Sequence, residues 1–269
     1  MTRIEISGIG FSGATDPESG LVYRELRDWD GRPDARGGGD AIPGGQGVYA
    51  RTAEYRESRA ITVQAAIVTD STSEYFEMKR RVESMPMFGE MRVDQGDGYW
   101  VRQVEVESID IPDAHTRTWT PFTIDLVAPD PARYRDPVSL GPVGLPVRDG
   151  GLELPSAFPW DFGTSSRPVL TVVNDGKLPV YPVLRVTGSA DSITIQGGPR
   201  RVEFGAFSGT LLIDNLQRRA WVNGRDVTRQ LVRREWQQVP PGGTQEFFFE
   251  AVSPSADLLM TGEYRIGVW

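Results

Sequence analysis

The sequence contains no cysteine and a single histidine, His115. Without cysteine there is no disulfide framework, no thiol nucleophile and no zinc site of the Cys/His type. A lone histidine in a polar loop also removes the usual pairing of a nucleophile with a histidine base, which leaves carboxylate chemistry. No pair among the 37 acidic residues stands out by its context, so we expect no enzyme activity and no cofactor.

Long apolar stretches are also missing. No run of about eighteen apolar residues occurs, and the N-terminus is polar and alternating, so we expect no membrane contact and no export signal. Hydrophobic residues make up 39% and charged residues 25% of the 269 positions, which is ordinary for a globular protein. A chain of this length can form two domains, each with its own core.

The net charge of −8 lies entirely in the first half of the chain. Residues 1–137 hold 16 basic and 24 acidic side chains, whereas residues 138–269 hold 13 of each. Binding to a nucleic-acid backbone needs a clustered positive field, so the first half is not expected to grip DNA. If the first half formed a ring, its acidic lumen would let DNA pass without binding it. Solubility alone is the commoner reason for such a charge.

The first half is predicted to be mostly β with one helix. Alternation of apolar and polar residues predicts strands at residues 3–9, 21–26, 59–68, 90–94, 99–109 and 119–127. Ser71 and Glu74 form a capping-box pattern, and an apolar stripe follows at helical spacing. The stripe consists of Tyr75, Met78, Val82 and Met85, and Pro86 ends the helix.

A glycine-rich segment separates the second and third predicted strands. The segment 31–47, which we call the arm, has too many glycines for a helix or a central strand. It lacks the Gly-Lys-Ser/Thr ending of a phosphate-binding loop. Loops of this length are usually functional or disordered, and we favour an arm between subunits, with Arg32 and Arg36 as its assembly contacts.

Two aspartates flank a predicted hairpin turn and could suggest calcium. Asp94 and Asp97 lie beside Gly96 and Gly98, which supply the positive φ angles of the turn. The spacing lacks the further oxygen ligands and the distal glutamate of a calcium loop. Turn chemistry therefore explains the two carboxylates, and no metal site is expected.

The second half is typical of a β-sandwich. A Pro/Gly-rich coil is expected through Gly163, where Trp160 and Phe162 would staple the linker to a core. Short strands are then predicted at residues 169–173, 183–186, 192–195, 201–204, 210–214, 219–222, 245–252 and 264–268. Asn223-Gly224 is the strongest hairpin signal in the chain.

The segment Ala128-Pro-Asp-Pro-Ala-Arg-Tyr134 marks a seam between the two halves. Pro129 and Pro131 each fix φ and remove a backbone donor, so strand pairing must stop there. Arg133 and Tyr134 are suited to pinning such a seam by stacking or hydrogen bonding. The alternative is an ordinary polar linker after a strand end.

This seam resembles that of the Dit-like distal tail proteins of long-tailed (siphovirus) bacteriophages. The short opening strand with Gly8 and Gly10, the arm and the single helix agree with it. The run Phe158-Pro-Trp-Asp-Phe-Gly163, after Gly150-Gly-Leu-x-Leu-Pro155, is similar to minor tail proteins of actinobacterial phages. The resemblance implies a mainly β fold: an N-terminal β-sandwich or split-barrel-like ring domain with one α-helix, residues 1–137, and a C-terminal galectin-like β-sandwich, residues 138–269.

The resemblance also implies a function. The chain would be a structural virion protein, made in the host cytoplasm, that forms a hexameric hub at the tail tip. The hub would join the tail tube protein to fibre or receptor-binding proteins, and DNA would only pass through its lumen. Assembly contacts are assigned to Arg32, Arg36, Arg133 and Tyr134.

Two other functions stay open. The second half could be a carbohydrate-binding module for the host surface, with Trp221 or Trp236 stacking on sugar rings, although such residues more often pack in a core or hairpin. The galectin signature, a His-x-Asn-x-Arg strand followed by Trp-x-x-Glu-x-Arg, has no match in the sequence. The third possibility is a carboxylate hydrolase of cell-wall sugar.

Overall fold

The computed structural model describes residues 3–13, 20–36, 42–46, 56–113, 119–149, 164–166 and 168–269. The predictions for His115, Trp160, Phe162 and the central part of the arm lie outside these residues. The chain divides into a first unit, Met1–Asp136 with Val268–Trp269, and a second unit, Pro137–Gly267. Each unit has its own hydrophobic core.

The first unit is a closed mixed barrel. Its elements are β1 (Ile4–Ile6), β2 (Ile9–Gly13), β3 (Leu21–Arg27), β4 (Arg59–Val68), α1 (Thr72–Glu83), β5 (Phe88–Asp94), β6 (Tyr99–Asp110), β7 (Trp119–Ala128) and β8 (Arg133–Arg135). Seven strands follow the order β6-β5-β1-β2-β3-β4-β7, and pairing of β7 with β6 closes the barrel. Only the β2–β3 pair is parallel among these described strands. Strand β8 also pairs with β6, outside the closed ring of seven strands.

The single described α-helix begins after the predicted cap Ser71 and ends at Glu83, before Pro86. The Ser71 hydroxyl accepts a hydrogen bond from the Glu74 amide at 3.2 Å, which caps the helix. The side chains of Tyr75, Val82 and Met85 are buried, and Met78 packs against the same barrel core. The predicted apolar stripe is therefore confirmed, and so is the mainly β fold with one helix in the described residues.

The predicted hairpin of β5 and β6 is confirmed, and both aspartates serve its turn. The Asp94 carboxylate accepts from the Gly96 amide at 2.9 Å, and the Asp97 carboxylate accepts from the Trp100 indole at 3.2 Å. In the described ranges, no three His, Cys, Asp or Glu side chains are grouped to hold a metal ion. No helix that the structure describes is long and apolar enough to span a membrane.

The second unit contains two antiparallel sheets that share one core. Its elements are β9 (Val138–Val143), β10 (Val147–Asp149), β11 (Thr164–Ser166), β12 (Leu170–Val173), β13 (Val183–Ala190), β14 (Ser192–Gly197), β15 (Arg200–Phe204), β16 (Phe207–Asp214), β17 (Arg219–Val222), β18 (Arg225–Asp226), a 3-10 turn (Thr228–Gln230), β19 (Arg233–Arg234), β20 (Thr244–Val252), β21 (Leu259–Tyr264) and β22 (Gly267–Val268). One sheet has the order β12-β20-β14-β15-β19, the other β18-β17-β16-β13-β21-β9. Strands β10 and β11 pair separately. Strand β22, whose Val268 belongs to the first unit, lies beside β8 in the barrel sheet.

Five strands of the second unit escaped the sequence prediction: β9, β10, β11, β19 and β21. The region expected as coil contains β9. Among the described strands β9 pairs with β21 alone, so it lies at a sheet edge, a position where a proline such as Pro142 is tolerated. Strand β21 was hidden by Gly262, a residue that is depleted in strands. A Cβ atom at Gly262 would lie 3.2 Å from Leu170 Cδ1, so packing between the sheets favours glycine there.

The Asn223-Gly224 hairpin is confirmed. Both residues have positive φ angles, 50° and 82°, as a type I′ turn requires. The turn joins β17 to β18, and the Asn223 side chain clamps the neighbouring strand β16 by bonding to the Thr210 amide at 2.8 Å and the Ser208 carbonyl at 2.9 Å. The hairpin is therefore tied to the sheet on both sides of its turn.

Candidate assembly site at one end of the barrel

The base of the arm is folded into one end of the barrel. After β3 ends at Arg27, positive φ angles at Asp28 and Gly31 turn the chain so that Trp29 points inward. The Trp29 side chain is only 1% exposed and belongs to the barrel core. The loop from Asp28 to Gly31 thus closes the barrel end before the arm begins.

Arg102 meets Trp29 from the opposite wall. In β6, Trp100, Arg102 and Val104 alternate onto the inner face, and all three are buried. The Arg102 guanidinium lies 4.5 Å from the Trp29 ring centroid and donates to the Trp29 carbonyl at 2.7 Å. Burial, together with the nearby charges of Arg59 and Arg133, lowers the pKa of Arg102 to about 9.

The contact with Trp29 offsets the free-energy cost of burying the Arg102 cation. The Nε and Nη2 groups of Arg102 have no hydrogen-bond partner among the described residues, although they are buried. A desolvated cation over an indole face gains about 2 kcal/mol, whereas an isolated buried charge is strongly destabilising. Trp29 and Arg102 therefore depend on one another for their positions.

The Arg59 side chain holds the loop from Asp28 to Gly31 through backbone carbonyl groups of the loop. It is the first residue of β4, on the inner face, and only 8% of it is exposed. Its Nη1 group donates to the carbonyls of Asp28 and Asp30, each at 2.7 Å, and its Nη2 group donates to the Gly31 carbonyl at 2.6 Å. Burial lowers the pKa of Arg59, as it does that of Arg102. One rigid guanidinium thus fixes the loop at three carbonyl groups.

The seam residue Arg133 completes the group. Strand β7 ends at Ala128 as predicted, and β8 places Arg133 beside the loop, where it donates to the Asp30 carboxylate and, at 3.2 Å, to the Gln95 side chain. Its guanidinium also lies 5.4 Å from the Trp100 ring centroid. We call Trp29, Asp30, Arg59, Arg102 and Arg133 the arm-base cluster.

Tyr134 has a different structural role from Arg133. Its hydroxyl donates to the Asp130 carboxylate at 2.8 Å, and the same carboxylate accepts from the Ala132 amide at 3.0 Å. Its backbone pairs with Val101 across β8 and β6. Tyr134 therefore fastens the turn of the seam itself, and Arg133 connects that turn to the base of the arm.

Arg32 and Arg36 are not brought into the cluster. Both side chains are exposed on the arm, beyond the loop that the cluster holds. Between them the arm pairs with the chain that returns to β4: Ala35 forms a bridge with Arg56, and the Glu57 amide donates to the Asp34 carbonyl at 3.0 Å. Of the four predicted assembly residues, the structure thus places Arg133 in the arm-base cluster, Tyr134 in the turn of the seam, and the other two on the outgoing arm.

Sequence reasoning missed Trp29, Arg59 and Arg102. The available signal was weak: Arg102 stands between Trp100 and Val104 on the face that period-two alternation assigns to the core. An arginine at a predicted core position means either that the predicted register is wrong or that the arginine is a buried cation with a specific partner. Nothing in the sequence identifies Trp29, which precedes the glycine-rich arm, as that partner.

The whole chain is similar in structure to phage tail proteins. It matches the crystal structure of SPP1 Dit (gp 19.1) over 99% of both chains, with a TM-score of 0.64 and 15% sequence identity. The chain has the Dit fold. A chain of the phage P2 baseplate in its activated conformation with Ca shows the same fold, with a TM-score of 0.54, 9% identity and coverage of 99% and 98% of the two chains.

The Dit fold is the only relation that these comparisons establish. A second phage P2 baseplate structure, with Sr, matches at a TM-score of 0.50 and 9% identity over 97% of both chains. No protein-family model and no curated protein matches the sequence. The similarities lend no support to an actinobacterial host. SPP1 Dit itself is a hub protein of the adsorption apparatus of its phage.

Replacing Asp30 by asparagine is expected to have a small effect that depends on pH. Burial raises the pKa of Asp30, but the hydrogen bonds from Arg133 and Gln95 outweigh it, and the net pKa is lowered. The stabilisation is therefore present above the ordinary aspartate pKa of about 4 and is lost as the pH falls through the lowered value. Because the side chain is 68% exposed, we expect a difference of about 1 kcal/mol or less.

Urea unfolding of the wild type and Asp30→Asn checks this effect. The difference in free energy of unfolding should be largest at about pH 6 and should decline below about pH 4, reaching zero only below the lowered pKa, where the carboxylate of the folded protein is protonated. Asp125→Asn is unsuitable as a control, because Asp125 bridges Thr62 and Ser108. Asp136→Asn is better matched, since Asp136 forms an exposed pair with Arg92. A difference that persists unchanged into acid would contradict the ion-pair explanation.

Proposed function

We propose that this protein is a structural virion protein that forms the hub of a phage tail tip. The observation that carries the proposal is the fold match over the whole chain to SPP1 Dit, which is described as a paradigm of the hub adsorption apparatus in phages that infect Gram-positive bacteria. The proposed hub is a hexameric ring at the end of the tail tube. It carries fibre or receptor-binding proteins, and DNA passes through its centre.

Charge supports the assignment of the ring to residues 1–137. This part of the chain carries the whole net charge of −8, and an acidic lumen does not retain a DNA phosphate backbone. Residues 138–269 carry no net charge and are proposed to project outward as the galectin-like domain that holds the adsorption proteins.

The arm supports the proposed ring closure. In a cyclic ring each interface is head-to-tail, so a projecting segment on one surface must meet a different surface of the neighbour. The arm-base cluster fixes where the arm leaves the barrel, and Arg32 and Arg36 extend from that point as exposed cations. We propose that these two arginines contact acidic groups of the next subunit, while Arg133 and Tyr134 hold the arm base and the seam.

Light scattering and negative-stain imaging of the purified full chain test this function. The expected result is a species near six times the chain mass of 29.8 kDa that forms rings with an open centre. Arg32→Glu with Arg36→Glu should shift the ring to smaller species. The control, Arg225→Glu with Arg229→Glu, makes the same charge change at exposed sites of the second unit and should leave the ring intact.

Labelling of intact virions with an antibody against the protein provides a second readout. The expected result is label at the tail tip. A protein that stays monomeric at every concentration and does not label tail tips would overturn the proposed function. If both double variants form rings as the wild type does, the hub function stands, but Arg32 and Arg36 do not make the assigned contacts.

A further inference from the structure

The outer face of the six-stranded sheet in the second unit carries a row of side chains that point away from the core. Leu184, Val186, Leu211 and Ile213 face inward and are buried. The alternate residues face outward, and the register sets Thr261, Arg185, Leu212 and Trp221 directly opposite one another across β21, β13, β16 and β17. These four side chains form one line across the sheet.

The structure separates the two tryptophans that the sequence treats alike. Trp236 packs against the hydrophobic core of the second unit, together with Val222. Trp221 is half-buried and is not among the residues that pack against that core, because its neighbours Ala220 and Val222 take the inward positions of β17. Trp221 therefore offers part of its ring on the outer face.

Two shallow grooves meet along this row. One has a volume of about 530 Å³ and is lined by Arg185, Thr210, Leu212, Trp221, Asn223 and Gly224. The other, of about 310 Å³, shares Arg185 and Leu212 and extends to β9 through Thr261, Glu263 and Ser139. We call the two together the outer trough. It crosses five strands, which lie ~4.8 Å apart, so it is about 19 Å long from the first strand to the last.

The polar groups of the outer trough are of both kinds. Arg185 is exposed and makes no hydrogen bond or ion pair within the described part of the chain. Glu263 is exposed on the neighbouring strand β21, opposite Val183 and so diagonal to Arg185. Thr210 and Thr261 add hydroxyl groups. One cation and one anion leave the trough with little net charge, which does not suit a polyanion such as a nucleic acid.

The rim of the outer trough is fixed before any ligand arrives. Both ends of the Asn223 amide are bonded to the backbone of β16, at Thr210 and Ser208. The amide lies over Gly209, where a Cβ atom would be 2.2 Å from its oxygen. A preformed wall lowers the entropic cost of binding, and it keeps the Trp221 side of the trough open.

We propose that the outer trough binds a neutral oligosaccharide. The partly exposed Trp221 ring would stack on the C–H face of one sugar, and Arg185 and Glu263 would donate to and accept from its hydroxyl groups. A purely apolar ligand would leave both charged groups without partners, which is costly on desolvation. The site uses none of the residues of the galectin signature, and it does not depend on ring formation.

Screening of the purified full chain on an array of neutral and acidic glycans tests the proposal, followed by calorimetry with the best neutral oligosaccharide found. Trp221→Ala should weaken binding by about tenfold or more, since an aromatic contact is removed, and Arg185→Gln by about fivefold. Trp119→Ala, at an exposed tryptophan of the first unit, and Arg234→Gln, at an exposed arginine of the other sheet, should bind like the wild type.

Circular dichroism and thermal unfolding of each variant separate loss of binding from loss of fold. If Trp221→Ala does not fold, Trp221→Phe, which keeps a ring, should bind within about threefold of the wild type, and Arg185→Gln carries the test. The proposal is overturned if no neutral glycan binds at millimolar concentration. It is equally overturned if binding survives in Trp221→Ala and Arg185→Gln, or if only acidic glycans bind.

Discussion

Replacing Trp29 by alanine is expected to lower the free energy of unfolding by about 3–5 kcal/mol, the range for truncating a fully buried large aromatic side chain. The indole ring is 1% exposed, and the Arg102 guanidinium lies on it at 4.5 Å. Its removal leaves a cavity at the barrel end and a buried cation without its principal contact. Urea unfolding followed by circular dichroism measures the change.

Trp119→Ala is the matched control for this experiment. Trp119 lies in the same unit, on β7, but 42% of it is exposed, and the Arg24 guanidinium lies 5.9 Å from its ring centroid. We expect this variant to lose about 1 kcal/mol or less. Equal losses in the two variants would show that Trp29 does not hold the barrel end as the structure indicates.

Replacing Arg59 by methionine is expected to release the base of the arm. The variant keeps the length of the side chain but loses three hydrogen bonds to the carbonyls of Asp28, Asp30 and Gly31. Hydrogen bonds to a charged group contribute about 1.5–3 kcal/mol each, and the loss is reduced by the relief of burying a cation. We expect trypsin to cleave after Arg36 at least about tenfold faster, because cleavage follows the population of the opened loop. The bond after Arg32 precedes Pro33 and resists trypsin.

Mass spectrometry of timed digests measures the cleavage, and two further variants interpret it. Arg27→Met removes an exposed pair with Glu25 and should digest like the wild type. Arg59→Lys keeps the charge but cannot reach three carbonyls at once, so its rate should lie between those of the wild type and Arg59→Met. If Arg59→Met and Arg27→Met digest alike, the arm base is held by other contacts.

The arm-base cluster would favour assembly of the proposed ring by fixing the position from which the arm leaves the barrel. Arg133 belongs to the seam, and Asp30 belongs to the loop that starts the arm, so their ion pair joins two segments that lie far apart in sequence. A subunit that presents its arm from a fixed base orders fewer residues when a neighbour binds, which reduces the entropic cost of assembly. Loss of either end of this connection should therefore weaken the ring more than it weakens the barrel.

Local elements were largely predictable from the sequence. Helix α1 follows from the Ser71 cap and a four-residue stripe, and the β17–β18 hairpin follows from Asn223-Gly224, because both signals act over a few residues. Strands β9 and β21 were not predictable. Pro142 and Gly262 oppose a strand locally, and only the edge position of β9 and the tight packing around Gly262 explain why strands form there.

The candidate sites were less predictable than the elements. The proline pattern directed attention to Arg133 and Tyr134, but Trp29, Arg59 and Arg102 come from three separate segments. A pair such as Trp221 and Trp236 looks equivalent in sequence, and the register of β17 is what sends one side chain outward. Contacts between distant segments leave no local trace, so the sequence alone could not select them.

The sequence by itself determined the chemistry that is absent and the local geometry that is present: no thiol chemistry, one capped helix, alternating strands and an acidic first half. Only the tertiary structure decided that β6 and β7 close a barrel, that Arg102 lies inside it against Trp29, and that Trp221 lies outside the second core. The physical reason is that period-two alternation separates the two faces of a strand but does not say which face is buried or which strand pairs with it.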